Sequence, residues 1–334
     1  GDDTRQWGPP FVARDDDVSA AYFHSTNRGK KSVTADFRTT EGIARVKALL
    51  TNADILIENF KTGGLKKYGL DYDSLKKEFP RLIYCSITGF GHDGPYAQRA
   101  GYDFIIQGMS GLMSVTGEPD GQPQKFGVAI TDILTGVYAT TAILAALHQR
   151  DRTGRGQHID MSLMDVAVAV TSNQALNFLT TGVSPRRMGN AHINLAPYQV
   201  FDCLDGHIII ATGNDGQYQR LCRLLGLDWM VDAPEFRKNE DRLANRAAMD
   251  ANLTAATLKR TKGDLLAACE ANGIPAGGIN DFAEVMSDPQ VVARQMKIDC
   301  AGVPGIRSPF TFSDAELALS QPAPKLGEND DDMQ

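Results

Sequence analysis

Asp132 is the residue of this sequence best placed to act as a nucleophile. It follows the apolar run Val128-Ala-Ile and opens a stretch, Thr131 to Arg150, whose pattern is helical. A carboxylate at the start of a helix lies near exposed backbone N–H groups, whose dipoles favour the ionised form and lower its pKa. An ionised carboxylate with little water around it attacks acyl carbon and forms covalent intermediates. The same position suits an ordinary helix cap, and on local sequence alone capping is the commoner role for aspartate. Other chemistries lack their residues: the chain contains no GxGxxG, no P-loop, no GxSxG elbow and no HExxH. Nicotinamide chemistry, nucleotide hydrolysis and zinc hydrolysis therefore have no support, and no metal site is expected. Carboxylates, glycine loops and a few cations remain.

The elements around Asp132 read as α/β. Ala53 to Asn59 and Leu82 to Ile87 are short apolar runs that predict two buried strands, with a crossover helix from Leu65 to Phe79 between them. That is the βαβ rhythm of a parallel sheet. A helix from Thr40 to Thr51 precedes the first strand. Gly89-Phe-Gly-His-Asp-Gly-Pro breaks the pattern just past the second strand, at the edge where open α/β sheets usually hold ligands. His158-Ile-Asp-Met-Ser predicts a further strand, and Asp165 to Thr181 a helix that Gly182 ends. A second region begins near Tyr198. There Asp205-Gly206 between two apolar runs signals a hairpin, and helices follow over 217–225, 242–256 and 262–272.

Composition sets outer bounds. A chain of 334 residues, 42% hydrophobic and 22% charged, predicts a globular protein of about two domains. A net charge of −7 and a pI near 5.4 argue against a nucleic-acid partner, while leaving room for a local cationic pocket. The contiguous apolar runs, such as Ile208 to Ala211, are too short to span a bilayer, so no membrane partner is expected. Residue 1 opens a polar segment, so no signal peptide is expected. Five scattered cysteines without a CxxC pair predict free thiols and a reducing compartment.

Several motifs recur in a recognisable order: Ile57-Glu-Asn-Phe, Thr88-Gly-Phe-Gly-His-Asp-Gly-Pro, Gly101-Tyr102-Asp103, Ser110 to Gly117, Asp132, Ala142 to Arg150, Thr153-Gly-Arg-Gly-Gln, Gly273-Ile-Pro-Ala-Gly, Asp288-Pro-Gln and Leu326-Gly-Glu. In order and spacing, over roughly the whole chain, they resemble the class III CoA-transferase family of CaiB/BaiF type. The resemblance implies that Asp132 attacks a donor thioester and passes through a mixed anhydride and an aspartyl–CoA thioester. Coenzyme A would then be substrate and product, with no tightly bound cofactor. For the CoA pocket it implies Asn59 and Phe60, Lys67 and Tyr68, the loop Ile87, Thr88, Gly89 and Phe90, and Tyr102. Arg28 and Lys30 would be phosphate partners. Backbone at Gly89 and Gly91 would supply oxyanion donors, although a tight turn explains both glycines equally well.

Acyl-CoA racemases share much of this pattern, but their second base is a histidine where Tyr102 stands here. A tyrosine of ordinary pKa is a poor base at neutral pH, so transfer is favoured over a 2-methylacyl-CoA racemase. A non-catalytic acyl-CoA binder is the other alternative. The residues Gly1 to Phe11, Arg186 to His192 and Ala196 to Phe201 look most like the dicarboxylate branch. That branch implies succinyl-CoA as donor and a C4–C6 diacid such as glutarate as acceptor; Arg186 or Arg187 is then a candidate clamp for the distal carboxylate, or both are ordinary surface arginines after Pro185. The resemblance also implies an interlocked homodimer with a Rossmann-like large domain over 1–197 and 299–334 and a smaller α+β domain over 198–298. It further implies more chain before Gly1 and after Leu326-Gly-Glu, and a cytoplasmic location, or the mitochondrial matrix in a eukaryote.

Overall fold

The computed structural model describes residues 1–333. They form two compact units, Gly1–Ala53 with Asn280–Gln334, and Asp54–Ile279.

The first unit ties the two ends of the chain together. An antiparallel hairpin pairs Phe11–Arg14 with Asp17–Ala20, and the helix Ala21–Asn27 follows it directly. The helix Thr40–Leu50 starts where the Thr39 hydroxyl accepts the Gly42 N–H. From the other end of the chain comes a second hairpin, Lys297–Cys300 with Val303–Ile306. Arg14 pairs with Glu328, Lys325 with Asp15 and Asp16, and the Arg45 guanidinium donates to the Asp330 backbone carbonyl.

In the second unit, a three-stranded parallel sheet orders Ile55–Glu58, Ile83–Thr88 and His158–Ser162, with the middle strand central. The helix Ile130–Thr153 packs on one face of it. Its Ala139 and Ile143 meet Cys85, with Ile55, Ile87, Ile159 and Met161 around them. Small residues on that helix face let it sit close to the strands. Gly154, at φ +73, then ends the helix and returns the chain to His158. A separate antiparallel sheet joins Tyr198–Cys203 and Gly206–Ala211, whose turn falls at Asp205-Gly206 as expected, and adds Ala276–Gly277. Helices bury Phe201, Ile208, Ile210, Tyr218, Leu221 and Met249 against it in a core of its own. The α/β architecture read from the sequence is the one observed.

Three local expectations fail, each for a physical reason. No continuous crossover helix spans 65–79. A 3-10 turn at Lys66–Tyr68 and one α-turn at Tyr72–Leu75 replace it, with Gly69 left-handed between them. Its buried leucines, Leu65, Leu70 and Leu75, recur every five residues, which a helix of period 3.6 cannot place on one face. The helix expected over 165–181 breaks into Leu163–Ala169 and Ser172–Thr181, where Ser172 takes φ +47 after the β-branched Val170-Thr171. Finally, the Ile130–Thr153 helix is long and apolar enough, by length and composition, to cross a membrane. Contiguous-run reading missed it because alanine, threonine and glycine interrupt its larger apolar residues. One face of it packs on the parallel sheet through Ala139 and Ile143, while Ile133, Val137, Tyr138 and Leu144 are exposed.

Candidate active site

The carboxyl ends of the three parallel strands, at Glu58, Thr88 and Ser162, lie along one sheet edge. Asn59 and Phe60 follow the first of them and are exposed. The Glu58 carboxylate accepts the Phe60 N–H at 2.8 Å, which fixes the turn out of that strand. Lys67 is exposed, with its ammonium 4.7 Å from the Tyr68 ring centre.

Ile87, Thr88, Gly89 and Phe90 end the central strand half-buried. Ile87 and Phe90 pack towards Ile106, Leu163 and Ala167. Arg99 lies over the Phe90 and Tyr96 rings, at 5.4 and 4.4 Å. The Gly91 N–H donates to Thr88 Oγ1 at 2.9 Å, and the His92 N–H to Asp160 Oδ2 at 2.9 Å. Those two amides are therefore committed, one within the loop and one to the neighbouring strand His158–Ser162, and the expectation that Gly91 supplies an oxyanion donor does not hold.

Gly89 has a different reason to be glycine than a tight turn. A Cβ placed on it would lie 2.6 Å from the Gly101 Cα, and one on Gly101 would lie 2.7 Å from the Gly89 Cα. The two backbones meet back to back, at a distance that no side chain fits. This contact seats Gly101-Tyr102-Asp103 against the strand end. Tyr102 is two-thirds exposed there, and Asp103 opens the helix Asp103–Met109.

Asp103 is the residue that the sequence reading missed. Its Oδ1 accepts the Thr131 N–H at 2.8 Å, the Thr131 hydroxyl, and the Asp132 N–H at 3.4 Å. Its Oδ2 accepts from the buried Gln107 amide at 2.6 Å, while Gln107 Oε1 accepts the Phe126 N–H at 2.8 Å. The Ile130–Thr153 helix begins after Ala129, which has no side chain to cap it. Asp103 does that work from 29 residues away. The one available signal was the i, i+4 pair Asp103 and Gln107 within a polar-apolar helical pattern.

Asp132 is thereby relieved of capping. Among the described residues, no hydrogen bond or ion pair engages its carboxylate, and the residue is exposed. The expectation of a lowered pKa is wrong in sign. Protein packed around the carboxyl withholds water, and the nearby Asp103 charge adds to it, so the pKa is raised from the usual 3.8. The helix N–H groups that were to lower it are spent on Asp103. A carboxylate raised in this way is more basic and less solvated, and both properties favour attack on an acyl carbon.

The arginines differ from one another. Arg187 donates to the backbone carbonyls of Glu118, Pro119 and Gly121, at 3.1, 3.4 and 2.8 Å. It pins the chain near Met188 to that turn and has no fork left for a diacid. Arg186 is exposed. In the unit formed by the chain ends, Arg28 is partly buried and donates to the Ile306 carbonyl at 2.8 Å. Lys30, exposed, donates to Asn27 Oδ1 at 3.0 Å.

An unengaged carboxylate at a helix start, tied through Asp103 and Gly101 to the carboxyl edge of a parallel sheet, suits acyl transfer. The chain belongs to CoA-transferase family III, whose family model matches residues 1–330. It is 53% identical over 336 residues to a succinate–glutarate CoA-transferase of Agrobacterium fabrum, with 98% of this chain and 84% of that protein aligned. To the succinyl-CoA:glutarate CoA-transferase of Homo sapiens it is 36% identical over 334 residues, covering 98% of this chain and 75% of that one. Among solved structures, a CaiB/BaiF family protein from Brucella suis superposes with a TM-score of 0.88 at 58% identity, over 100% of this chain and 88% of that one.

Proposed function

We propose that this chain moves coenzyme A from succinyl-CoA to a C4–C6 dicarboxylate such as glutarate, with Asp132 as the covalent nucleophile. The observation that carries the mechanism is the Asp132 carboxylate itself: exposed yet partly screened from water by the protein around it, unengaged, and held at the start of a helix that another residue caps. The names of the relatives, a succinate–glutarate and a succinyl-CoA:glutarate CoA-transferase, support the substrate pair.

In the first step the Asp132 carboxylate attacks the thioester carbonyl of the donor, forming a mixed anhydride and expelling CoA thiolate. The thiolate then attacks the aspartyl carbonyl, releasing succinate and leaving an aspartyl–CoA thioester. The acceptor carboxylate displaces CoA from that carbonyl to give a second mixed anhydride. CoA thiolate finally attacks the acceptor acyl carbon, releasing the new thioester and regenerating the Asp132 carboxylate. Every step exchanges a carboxylate for a thiolate at a carbonyl, so no proton need move. What the site must supply is orientation and exclusion of water.

Asn59, Phe60, Lys67, Tyr68, Ile87, Thr88, Gly89, Phe90 and Tyr102 are proposed to contact CoA, with support from the position of the strand-end residues along the carboxyl edge. For Arg28 and Lys30 the proposal rests on their charge, suited to a phosphate. With Arg187 committed, Arg186 is the candidate for the distal carboxylate of the diacid. CoA enters and leaves as substrate and product, with no resident cofactor in the scheme.

A homodimer, interlocked as the resemblance implies, is also part of the proposal. Exposed Ile133, Val137, Tyr138 and Leu144 on the long helix, and Leu176 and Leu179 on the helix Ser172–Thr181, support a partner copy. The smaller domain over 198–298 is supported by the separate core of its antiparallel sheet. Five buried, unpaired cysteines suit a cytoplasmic setting.

The test is intact-mass analysis after quenching with succinyl-CoA. A CoA-sized gain that hydroxylamine removes, mapped to the Asp132 peptide, is the expected result. Asp132→Asn should abolish both adduct and exchange while CoA thioesters still bind. An Asp132→Asn protein that still exchanges CoA would sink the assignment.

A further inference from the structure

We infer that Asp103 is a positioning residue for Asp132, capping the Ile130–Thr153 helix in its stead and so leaving the Asp132 carboxylate free to attack. The inference rests on the reading of Asp132 as nucleophile.

An aspartate in the first turn of a helix ordinarily folds back onto free backbone N–H groups, because those donors have no partner within the helix. Asp132 stands in that first turn, behind a capless Ala129. Left alone, its carboxylate would be drawn to the N–H groups and made a poorer nucleophile. Asp103 Oδ1 removes that competition by accepting from Thr131 N–H and Asp132 N–H itself, and from the Thr131 hydroxyl.

The cap is held in place by two independent constraints. Thr131 is fully buried, and so is Gln107, which clamps Asp103 Oδ2 on one side and the Phe126 N–H on the other. Gln107 thus fixes both the cap and the segment that leads into the helix. On the other side, the Gly89–Gly101 contact seats the turn from which Asp103 projects. The Asp103 carboxylate also faces Asp132 as a like charge. The groups with charge in this cluster are Asp103 and Asp132, with Lys125 near its edge, its ammonium donating to the Phe126 carbonyl.

Two variants separate geometry from charge. Asp103→Asn keeps an acceptor oxygen of the same shape and removes the charge. Asp103→Ala removes both. With Asp103→Ala, kcat for CoA exchange should fall about 100-fold, the usual consequence of a nucleophile misplaced by about 1 Å, while KM for succinyl-CoA stays within about twofold. With Asp103→Asn, the loss should be under about tenfold, and the acid limb of the kcat–pH profile should move to lower pH, because Asp132 loses its like-charged neighbour. A purely structural role for Asp103 would lower the melting temperature of Asp103→Ala while leaving kcat of the folded enzyme unchanged.

Wild-type kcat in Asp103→Ala, or an unshifted acid limb in Asp103→Asn, overturns the inference. Asp132→Asn is run alongside. If it is inactive while both Asp103 variants behave as wild type, only the positioning role falls. If Asp132→Asn itself keeps exchange, the nucleophile reading falls and the inference with it.

Discussion

Gly89→Ala places a methyl group about 1 Å too close to a neighbouring backbone, and its consequences should reach Asp132. The new Cβ would lie 2.6 Å from the Gly101 Cα and 2.8 Å from the Gly101 nitrogen, where ordinary contact begins near 3.4 Å. Both obstructing atoms are backbone, so no side chain can swing aside. The strand end and the Gly101 turn must separate by about 1 Å. Gly89 itself has an ordinary φ, so conformational strain is not the issue and the effect is steric.

Overpacking of this kind costs about 1–3 kcal/mol of stability. The displaced turn carries Asp103, and through it the cap on the helix that bears Asp132. A shift of about 1 Å at the nucleophile costs on the order of 100-fold in rate. The assay is steady-state exchange between succinyl-CoA and glutarate, followed by chromatography of the CoA esters, together with a thermal melt. Gly101→Ala meets the same backbone from the other side, at 2.7 Å, and should behave alike. A Gly89→Ala enzyme with wild-type kcat and an unchanged melting temperature would refute the argument that this contact transmits to the nucleophile.

Two further outcomes follow from the same geometry. Because the Asp132 pKa is raised in the folded protein, ionising it costs stability; its stabilising share is full below about pH 3.8 and is lost as the pH rises through the folded value. Asp132→Asn should therefore melt higher than wild type at pH 7, with the gain shrinking as the pH falls towards 4, and scanning calorimetry at both pH values checks the sign. Arg242 is 1% exposed, stacks 4.3 Å from the Tyr218 ring centre, and donates to the Ala196 and Phe236 carbonyls and to Asp215. Arg242→Leu leaves those acceptors unmatched and should cost about 3 kcal/mol, seen as a lower urea midpoint at unchanged slope.

The sequence by itself passed over the hairpins at 11–20 and 297–306, but it determined the three parallel strands and the hairpin turn at Asp205-Gly206. Period and residue type decide these locally: Ile83 to Thr88 is apolar enough to be a central strand, and Asp205-Gly206 can turn where its neighbours cannot. It also pointed to Asp132, by position at a helix start and by the order of surrounding motifs. Where local reading failed, the deciding contact was not local. The leucines spaced by five are buried on broken turns rather than a helix, and the Tyr84 hydroxyl, from the central strand, donates to the Leu70 carbonyl at 2.9 Å. Arg187 looked available for a diacid until its guanidinium met the carbonyls of a turn nearly seventy residues earlier.

The same holds most sharply at Asp132. Sequence predicts a helix dipole acting on it and a lowered pKa, since both follow from its place in the helix. Tertiary structure reverses the sign, because protein packed around the carboxyl withholds water, and Asp103, arriving from a distant turn, takes the N–H groups and adds its own charge. A pattern along the chain can announce which residue opens a helix. Which carboxylate caps it and which stays free is settled by what the fold brings within three ångströms, and that distance is not written in the order of the residues.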